Sequence, residues 1–302
     1  MTASEDGSNG TFRSGIVPVV GRPNVGKSTI VNALVGEKVT ITAPRPQTTR
    51  NTIRGVAHRP HGQIVLVDTP GLHKPRNQLG ERLNRLVADS LPDSDAVVFV
   101  VDATGAVGPG DRAVADRLAD AEVIAVVNKI DIAKPHEIAD RLTDLAPYDF
   151  AAYVPVSART GDGMTALEDE IMKRLPEGPA FFPANMMTDQ PDHYLAAELV
   201  REGYLHRLHE ELPHSVAVVV EEIEERDNGT VFISAVVYVE RDSQKGMVIG
   251  KGGSLVKAVG ERARPEIEKL FGAPVYLDLR VKVEKDWQRR PELINRLLPI
   301  DD

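Results

Sequence analysis

The chain has 302 residues, of which 42% are hydrophobic and 27% charged, and its formal net charge is −9. This is enough chain for two folded units with cores of their own, and the balance excludes fibrous and disorder-dominated classes. With no cysteine, disulfides, thiolate metal sites and cysteine nucleophiles are excluded and a cytoplasmic setting is expected; the acidic surplus argues against wholesale coating of nucleic acid, and no DNA partner is expected.

Residues 1–13 read as a flexible N-terminus; Met1 to Gly10 are polar and acidic, with neither the basic start nor the apolar core of a secretion signal, so no export is expected. From Ile16 to about Leu175, apolar strands alternate with helical stretches. Strands are predicted near Gln63–Asp68, Ala96–Asp102, Glu122–Asn128 and Ala152–Ser157, which is the pattern of βαβ units around a largely parallel, buried sheet with helices on both faces. The longest apolar runs are strand-sized, far short of the roughly 20 residues that a membrane helix needs. Pro176, Gly178, Pro179 and Pro183 break the periodicity, so residues 14–178 form a first unit and 179–192 a linker. Beyond it come a helix at Tyr194–Leu208, two strands meeting at Asp227, Asn228 and Gly229, a helix-loop-helix around Met247–Leu270 and a strand at Val275–Val283. That order, α-β-β-α-α-β, makes 193–284 a second unit of α+β class, followed by a basic tail at 285–302.

Gly21, Arg22, Pro23, Asn24, Val25, Gly26, Lys27 and Ser28 fit the phosphate-binding pattern G-x-x-x-x-G-K-[ST], between a strand and a helix that begins near Thr29. Backbone amides and the helix N-terminus would cradle the phosphates, Lys27 would bridge the outer ones, and the Ser28 hydroxyl would hold magnesium. Asn128, Lys129, Ile130 and Asp131 end a later strand, where open α/β sheets bind ligands. A carboxylate at Asp131 can accept from both N1–H and the exocyclic amine of guanine but would face an acceptor on adenine, which selects GTP over ATP. Ser157 and Ala158 follow the next strand, and a backbone amide there could reach the guanine oxygen. Asp68, Thr69, Pro70 and Gly71 place a carboxylate that can hold the metal through water and an amide that can sense the terminal phosphate. Between these lies the aperiodic stretch Ala43–Arg50, either a surface loop or a segment in which Thr48 or Thr49 closes over the metal, with Thr49 favoured. Lys27, Thr49 and Gly71 are thus the candidate catalytic residues; Ser28, Thr49 and Asp68 are the candidate magnesium ligands.

The wording G-R-P-N-V-G-K-S, P-Q-T-T-R, D-T-P-G and N-K-I-D resembles the translation-factor-related GTPases, and in particular their Era branch. The resemblance covers about residues 14–290 and implies a P-loop GTPase domain followed by a type II KH domain. It also makes Thr49 the metal ligand. Leu72 stands where many signalling GTPases carry a water-orienting glutamine; the resemblance implies a potassium ion held in part by Asn24 in its place. Intrinsic turnover is expected to be slow, on the order of 10⁻² per second or below.

Gly250, Lys251, Gly252 and Gly253 supply the G-x-x-G loop of the KH reading, where a phosphate chain can approach the backbone. Alone, such a loop is no better than a helix cap, but the order of elements around it favours single-stranded RNA. Basic charge gathers there: Lys245, Lys251, Lys257, Arg262 and Arg264 stand against Glu261, a local net of +4, whereas Glu221, Glu222, Glu224 and Glu225 form a solvated edge. Trp287 either stacks on a base or packs against the second domain. His206 and His209 share a helix face but lack a third metal ligand. The resemblance implies the 3′ end of small-subunit ribosomal RNA as partner, assembly of that subunit as function, and peripheral inner-membrane contact for some members; a monomer is expected. The alternative is a membrane-peripheral or cell-cycle signalling GTPase whose KH-like domain binds protein.

Overall fold

A computed structural model describes residues 11–72, 74–75 and 77–299. The first unit is a six-stranded sheet built from β1 (Arg13–Gly21), β2 (Ile53–Arg59), β3 (Gly62–Asp68), β4 (Val97–Asp102), β5 (Val123–Asn128) and β6 (Ala152–Val156), in the order β2-β3-β1-β4-β5-β6. All neighbours are parallel except β2, which pairs antiparallel with β3 at the edge. The sequence reading had no strand at β2, because its Arg-Gly-Val-Ala-His stretch lacks the continuous apolar run of the buried strands.

Helices α1 (Lys27–Val35) and α5 (Met164–Arg174) cover one face, where Ile30, Leu34, Leu167 and Ile171 meet Val17, Val98 and Ile124. Helices α2 (Gln78–Asp89), α3 (Pro109–Ala115) and α4 (Pro135–Leu145) cover the other, with Val87, Val114 and Leu145 against Phe99, Val101 and Val127. The strands are valine-rich and buried on both faces, as a sheet sandwiched between helices requires.

The second unit consists of α6 (Asp192–Leu205), α7 (Leu212–Ser215), β7 (Ala217–Glu225), β8 (Val231–Val239), α8 (Asp242–Ile249), α9 (Ser254–Phe271) and β9 (Val275–Val283). Its sheet runs β7-β8-β9, antiparallel then parallel. Alternate residues Ile233, Ala235 and Val237 of β8 pack under Val200 and Tyr204 of α6 and Val259, Ala263 and Ile267 of α9.

Three segments depart from the sequence reading. Arg13, placed in a flexible terminus, opens β1 and is bridged to Glu177; residues 1–10 lie outside the described residues. The linker is strapped along the β2 edge: the Gln63 side-chain oxygen accepts from the amides of Phe181 and Phe182, Val56 N–H donates to Met187 O, and Gly55 bridges Thr188. The terminal segment read as a basic tail folds back as a short turn and α10 (Pro291–Leu297), in which Trp287, Leu293, Ile294 and Leu297 pack between Leu79 and Leu83 of α2 and Ala217 of β7. Its basic residues, Lys285, Arg289, Arg290 and Arg296, crowd around its apolar ones, so its charge masked its apolar face. Among the described residues no helix is long and apolar enough to cross a membrane.

Candidate nucleotide and nucleic-acid sites

The phosphate loop lies where β1 ends and α1 begins, flanked by β3 and β4. Its bend needs left-handed backbone at Asn24 (φ 65°) and Gly26 (φ 101°). A Cβ at Gly26 would sit 2.2 Å from Asn128 Nδ2, so glycine is required both by the dihedral and by the approach of a second motif. Asn128 Nδ2 donates to Val25 O at 2.9 Å, while its Oδ1 accepts from Ala158 N at 3.1 Å. Lys129 Nζ donates to Asn24 O at 2.7 Å and pairs with Asp102 at 2.5 Å. Loops distant in sequence are therefore zipped into one rim.

Lys27 is 6% exposed, and its Nζ donates to Gly21 O and Arg22 O at 3.1 and 2.9 Å. Burial pulls its ammonium down to about 8, with the Asp68 carboxylate opposing the shift. Beside it, Ser28 Oγ and Thr40 Oγ1 donate to Asp68 Oδ2 at 2.7 and 2.9 Å, Thr49 Oγ1 does so at 3.1 Å, and Ser28 and Thr49 hydroxyls are 3.0 Å apart. The other carboxylate oxygen, Asp68 Oδ1, is buried without a hydrogen-bond partner. Burial pushes this carboxyl above its ordinary range; the hydroxyls and Lys27 resist. An all-oxygen set with a buried carboxylate that still lacks a partner suits a hard divalent cation such as magnesium. Thr48 turns the other way, onto Ala43 O and Arg45 O. Thr40 was missed in the sequence, where it is one more hydroxyl in a stretch with no period.

The turn after β3 is docked on the loop. Thr69 Oγ1 donates to Val19 O at 2.7 Å, Leu72 N–H donates to Gly21 O at 3.2 Å, and Pro70 is buried. Leu72 packs its side chain toward the cluster containing Val20 and Phe99, so it offers no polar atom to a water. A cavity of about 400 Å³ lies over these groups, lined among others by Asn24, Lys27, Ser28, Thr49, Gly71 and Lys129. Arg45 and His206 also line it, neither foreseen from the sequence.

Asp131, Ser157 and Ala158 lie outside that cavity, at the base end of the rim. Asp131 accepts from Ser157 Oγ at 2.7 Å and is ion-paired with Arg159. Ser157, and after it Arg159, hold the carboxyl below its ordinary range, keeping it an acceptor. The Ala158 amide, one of the backbone amides after β6 that could reach a guanine oxygen, donates here to Asn128 Oδ1. Ile130 is half-buried and packs against the cluster that contains Val127 and Leu145.

The second glycine loop projects from the far unit, between α8 and α9. Gly250 has φ 75° and ψ 168°, a region only glycine occupies freely, and a Cβ there would meet Leu255 N at 2.7 Å. Gly252 and Gly253 are also left-handed. Lys251 and Lys257 are exposed, Lys257 only loosely paired with Glu261 at 3.9 Å, and Met247, in α8 just before the loop, is exposed. Trp287 is fully buried, with Nε1 donating to Ser215 O at 3.0 Å and Arg50 over its ring; of the alternatives open from sequence, it packs. His206 and His209 do not converge: the His206 ring bonds Thr42 O at 3.1 Å and His209 Nδ1 meets Arg45.

The two sites are joined through the segment between α1 and β2. Arg50 is buried and donates to Val216 O and His214 O at 2.6 and 2.8 Å. Glu202 accepts from Thr42 N–H at 2.9 Å and pairs with Lys38 at 2.6 Å, and Arg201 donates to Thr48 O.

A family model described as a 50S ribosome-binding GTPase matches residues 16–129, and one described as a KH domain matches residues 211–288. GTPase Era of Nocardioides sp. is 49% identical over 98% of this chain and 99% of its own length, and GTPase Era of Mycolicibacterium smegmatis is 50% identical over 95% and 98%. Among solved structures, Era in complex with MgGDPNP and nucleotides 1506–1542 of 16S ribosomal RNA matches with a TM-score of 0.91 and 39% identity, covering 95% of this chain and 99% of that one. An Aquifex aeolicus Era variant bound to GDP and aluminium fluoride matches equally well, at 38% identity and the same coverage. With a P-loop unit and a KH unit in this order, and near-half identity to these relatives along almost the whole length, the chain belongs to the Era family of GTPases.

Proposed function

We propose that this GTPase is a magnesium-dependent switch that engages the 3′ end of small-subunit ribosomal RNA through its KH loop and assists assembly of that subunit. The observation that carries the reading is the convergence of Ser28, Thr49 and Asp68 beside Lys27, in a chain whose other unit exposes a positive-φ glycine loop with Lys251 and Lys257 beside it. Magnesium would supply charge neutralisation between the outer phosphates, held by Ser28 and Thr49 directly and by Asp68 through water. Lys27 would turn from its carbonyl partners to the phosphates, and Asp131, already held as an acceptor, would select guanine. Asn24, exposed and left-handed at the cavity rim, is the residue for a potassium ion in the place of the missing glutamine.

The small-subunit reading is supported by coverage: the 16S complex aligns along 95% of this chain, whereas the 50S description belongs to a model of residues 16–129. The work is assigned to the cytoplasm, to a monomer, with any membrane contact peripheral; the absence of cysteine and the ribosomal partner of the relative support the cytoplasm. Terminal phosphate would act on the segment 38–51, which contacts both units, and so bias how the KH unit sits.

The test is binding of a 3′-terminal 16S fragment to the GTP-analogue and GDP forms. Gly252→Asp, which adds a carboxylate at an open position, should abolish RNA binding and leave GTP hydrolysis intact. Equal RNA affinity for the variant and the parent would favour a protein-binding KH unit instead.

A further inference from the structure

Arg45 precedes Thr49 by four residues on the segment between α1 and β2, and it lines the same cavity as Lys27, Ser28 and Gly71. Its guanidinium is nevertheless engaged by the second unit. Nη2 donates to Leu208 O and to His209 Nδ1, both at 2.9 Å, and Nε is buried with no hydrogen-bond partner. A buried guanidinium N–H without an acceptor carries a cost that an anion would relieve. The cavity beside it is the one the proposed function assigns to phosphates, and Leu72 brings no polar group to the reaction.

We propose that Arg45 is a catalytic arginine supplied in cis and parked by the KH unit on Leu208 and His209. The inference rests on the nucleotide reading above. In hydrolysis, the water oxygen bonds to the terminal phosphorus as the bond to the β–γ bridging oxygen breaks; the electron pair leaves with GDP, and the water's proton passes to the released inorganic phosphate. Arg45 exchanges no proton in this step. Its fixed positive charge neutralises the bridging and terminal oxygens as charge accumulates there, the role an arginine in cis performs in other phosphoryl-transfer switches. Because its resting partners belong to the segment just after α6, any movement of the KH unit that withdraws Leu208 and His209 frees the guanidinium. RNA engagement thereby gains a direct route to turnover.

Single-turnover GTP hydrolysis, GDP affinity and binding of GDP with aluminium fluoride, all on the full chain, test this. Arg45→Ala should lower the hydrolysis rate by about a hundredfold or more, the order expected for loss of a transition-state donor, and weaken the aluminium fluoride complex while GDP affinity stays unchanged. Arg45→Lys, which keeps the charge without the fork, should give an intermediate rate. His209→Ala removes one parking bond and should raise the basal rate about threefold, the factor for a hydrogen bond of ordinary net strength, and the rise should vanish in the Arg45→Ala background. Wild-type hydrolysis by Arg45→Ala would overturn the proposal while leaving the nucleotide site standing. A His209→Ala rise that persists without Arg45 would overturn the parking. Failure of the parent protein to bind GTP would instead sink the nucleotide reading itself.

Discussion

The two glycine loops of this protein use the same backbone freedom in opposite surroundings. Around Gly21–Ser28, other motifs press in: Asn128 ties Val25 to Ala158, Lys129 ties Asn24 to Asp102, and Lys27 is buried beside Asp68. Around Gly250–Gly253, among the described residues, only the loop's own helices are close, and a Cβ on Gly252 would meet nothing within 4 Å. A compact ligand of high charge density is stabilised by a preorganised shell in which every donor is fixed beforehand. A polymer backbone needs only an approachable stretch of amides and lysines, and its sequence is read elsewhere along the groove. Enclosure would also allow the first loop to report its occupancy, since Thr40 and Thr49, which reach Asp68, lie on the segment that Glu202 and Arg201 hold from the second unit. Among the described residues, the open loop has no comparable connection of its own.

The sharpest way to break this contrast is at the enclosed loop. Lys27→Ala removes the buried cation from a site built around it and leaves Asp68 without its charge partner. GTP affinity should fall by more than about a hundredfold, as loss of a charge-assisted contact in a water-poor site implies, with RNA affinity in the nucleotide-free state unchanged. Isothermal titration with GTP and with an RNA fragment measures both. A similar loss of RNA binding would mean that the loops are not separable.

Asp131→Asn acts at the base end. Its amide keeps one acceptor but presents a donor toward the exocyclic amine of guanine, leaving two donors face to face. GTP affinity should drop by at least about tenfold. Xanthosine triphosphate, which carries an oxygen at that position, should recover most of the loss. Competition between the two nucleotides for the variant decides it, and continued preference for GTP would remove Asp131 from base recognition.

How far each region was legible from sequence follows from the same contrast. Gly26, Lys27, Ser28, Asp68 and Asn128 were readable because each is constrained by several neighbours at once, and such crowding fixes residue type at fixed spacing. Arg45 and His206 were not, because their position depends on how two units dock, and no local period encodes that; Thr40 was not, because Asn32 of α1 and Asp68 of β3 hold it in a stretch without a period. β2 escaped notice for lack of a continuous apolar run, although it is an edge strand made secure by the strap of residues 181–188. Trp287 was left open between base and core; its burial against Ser215 and Arg50 depends on the final segment folding back across both units, which its basic composition concealed.

The open loop is where a graded prediction can be made, because its glycines differ in what a methyl group would meet. At Gly250, a Cβ would lie 2.7 Å from the Leu255 amide nitrogen, and the dihedrals fall in a region that only glycine enters freely. Gly250→Ala should therefore cost roughly 1–3 kcal/mol in urea unfolding and distort the start of α9, weakening RNA binding through the fold. At Gly252, with φ 59° and ψ 26°, the penalty of about 1–2 kcal/mol for left-handed backbone in an L-residue is partly offset by a stabilisation of about 0.4–1 kcal/mol from a stiffer unfolded chain. Gly252→Ala should thus cost between nothing and about 1.6 kcal/mol, less than Gly250→Ala, and change GTP hydrolysis not at all, yet its methyl group stands where a phosphate must approach the backbone, so RNA affinity should still fall. Loss of RNA binding in both variants, with the larger loss of stability in Gly250→Ala, would separate the loop's role as a surface for RNA from its role as a helix cap; equal stability losses would mean that the loop is held from outside, as the first loop is.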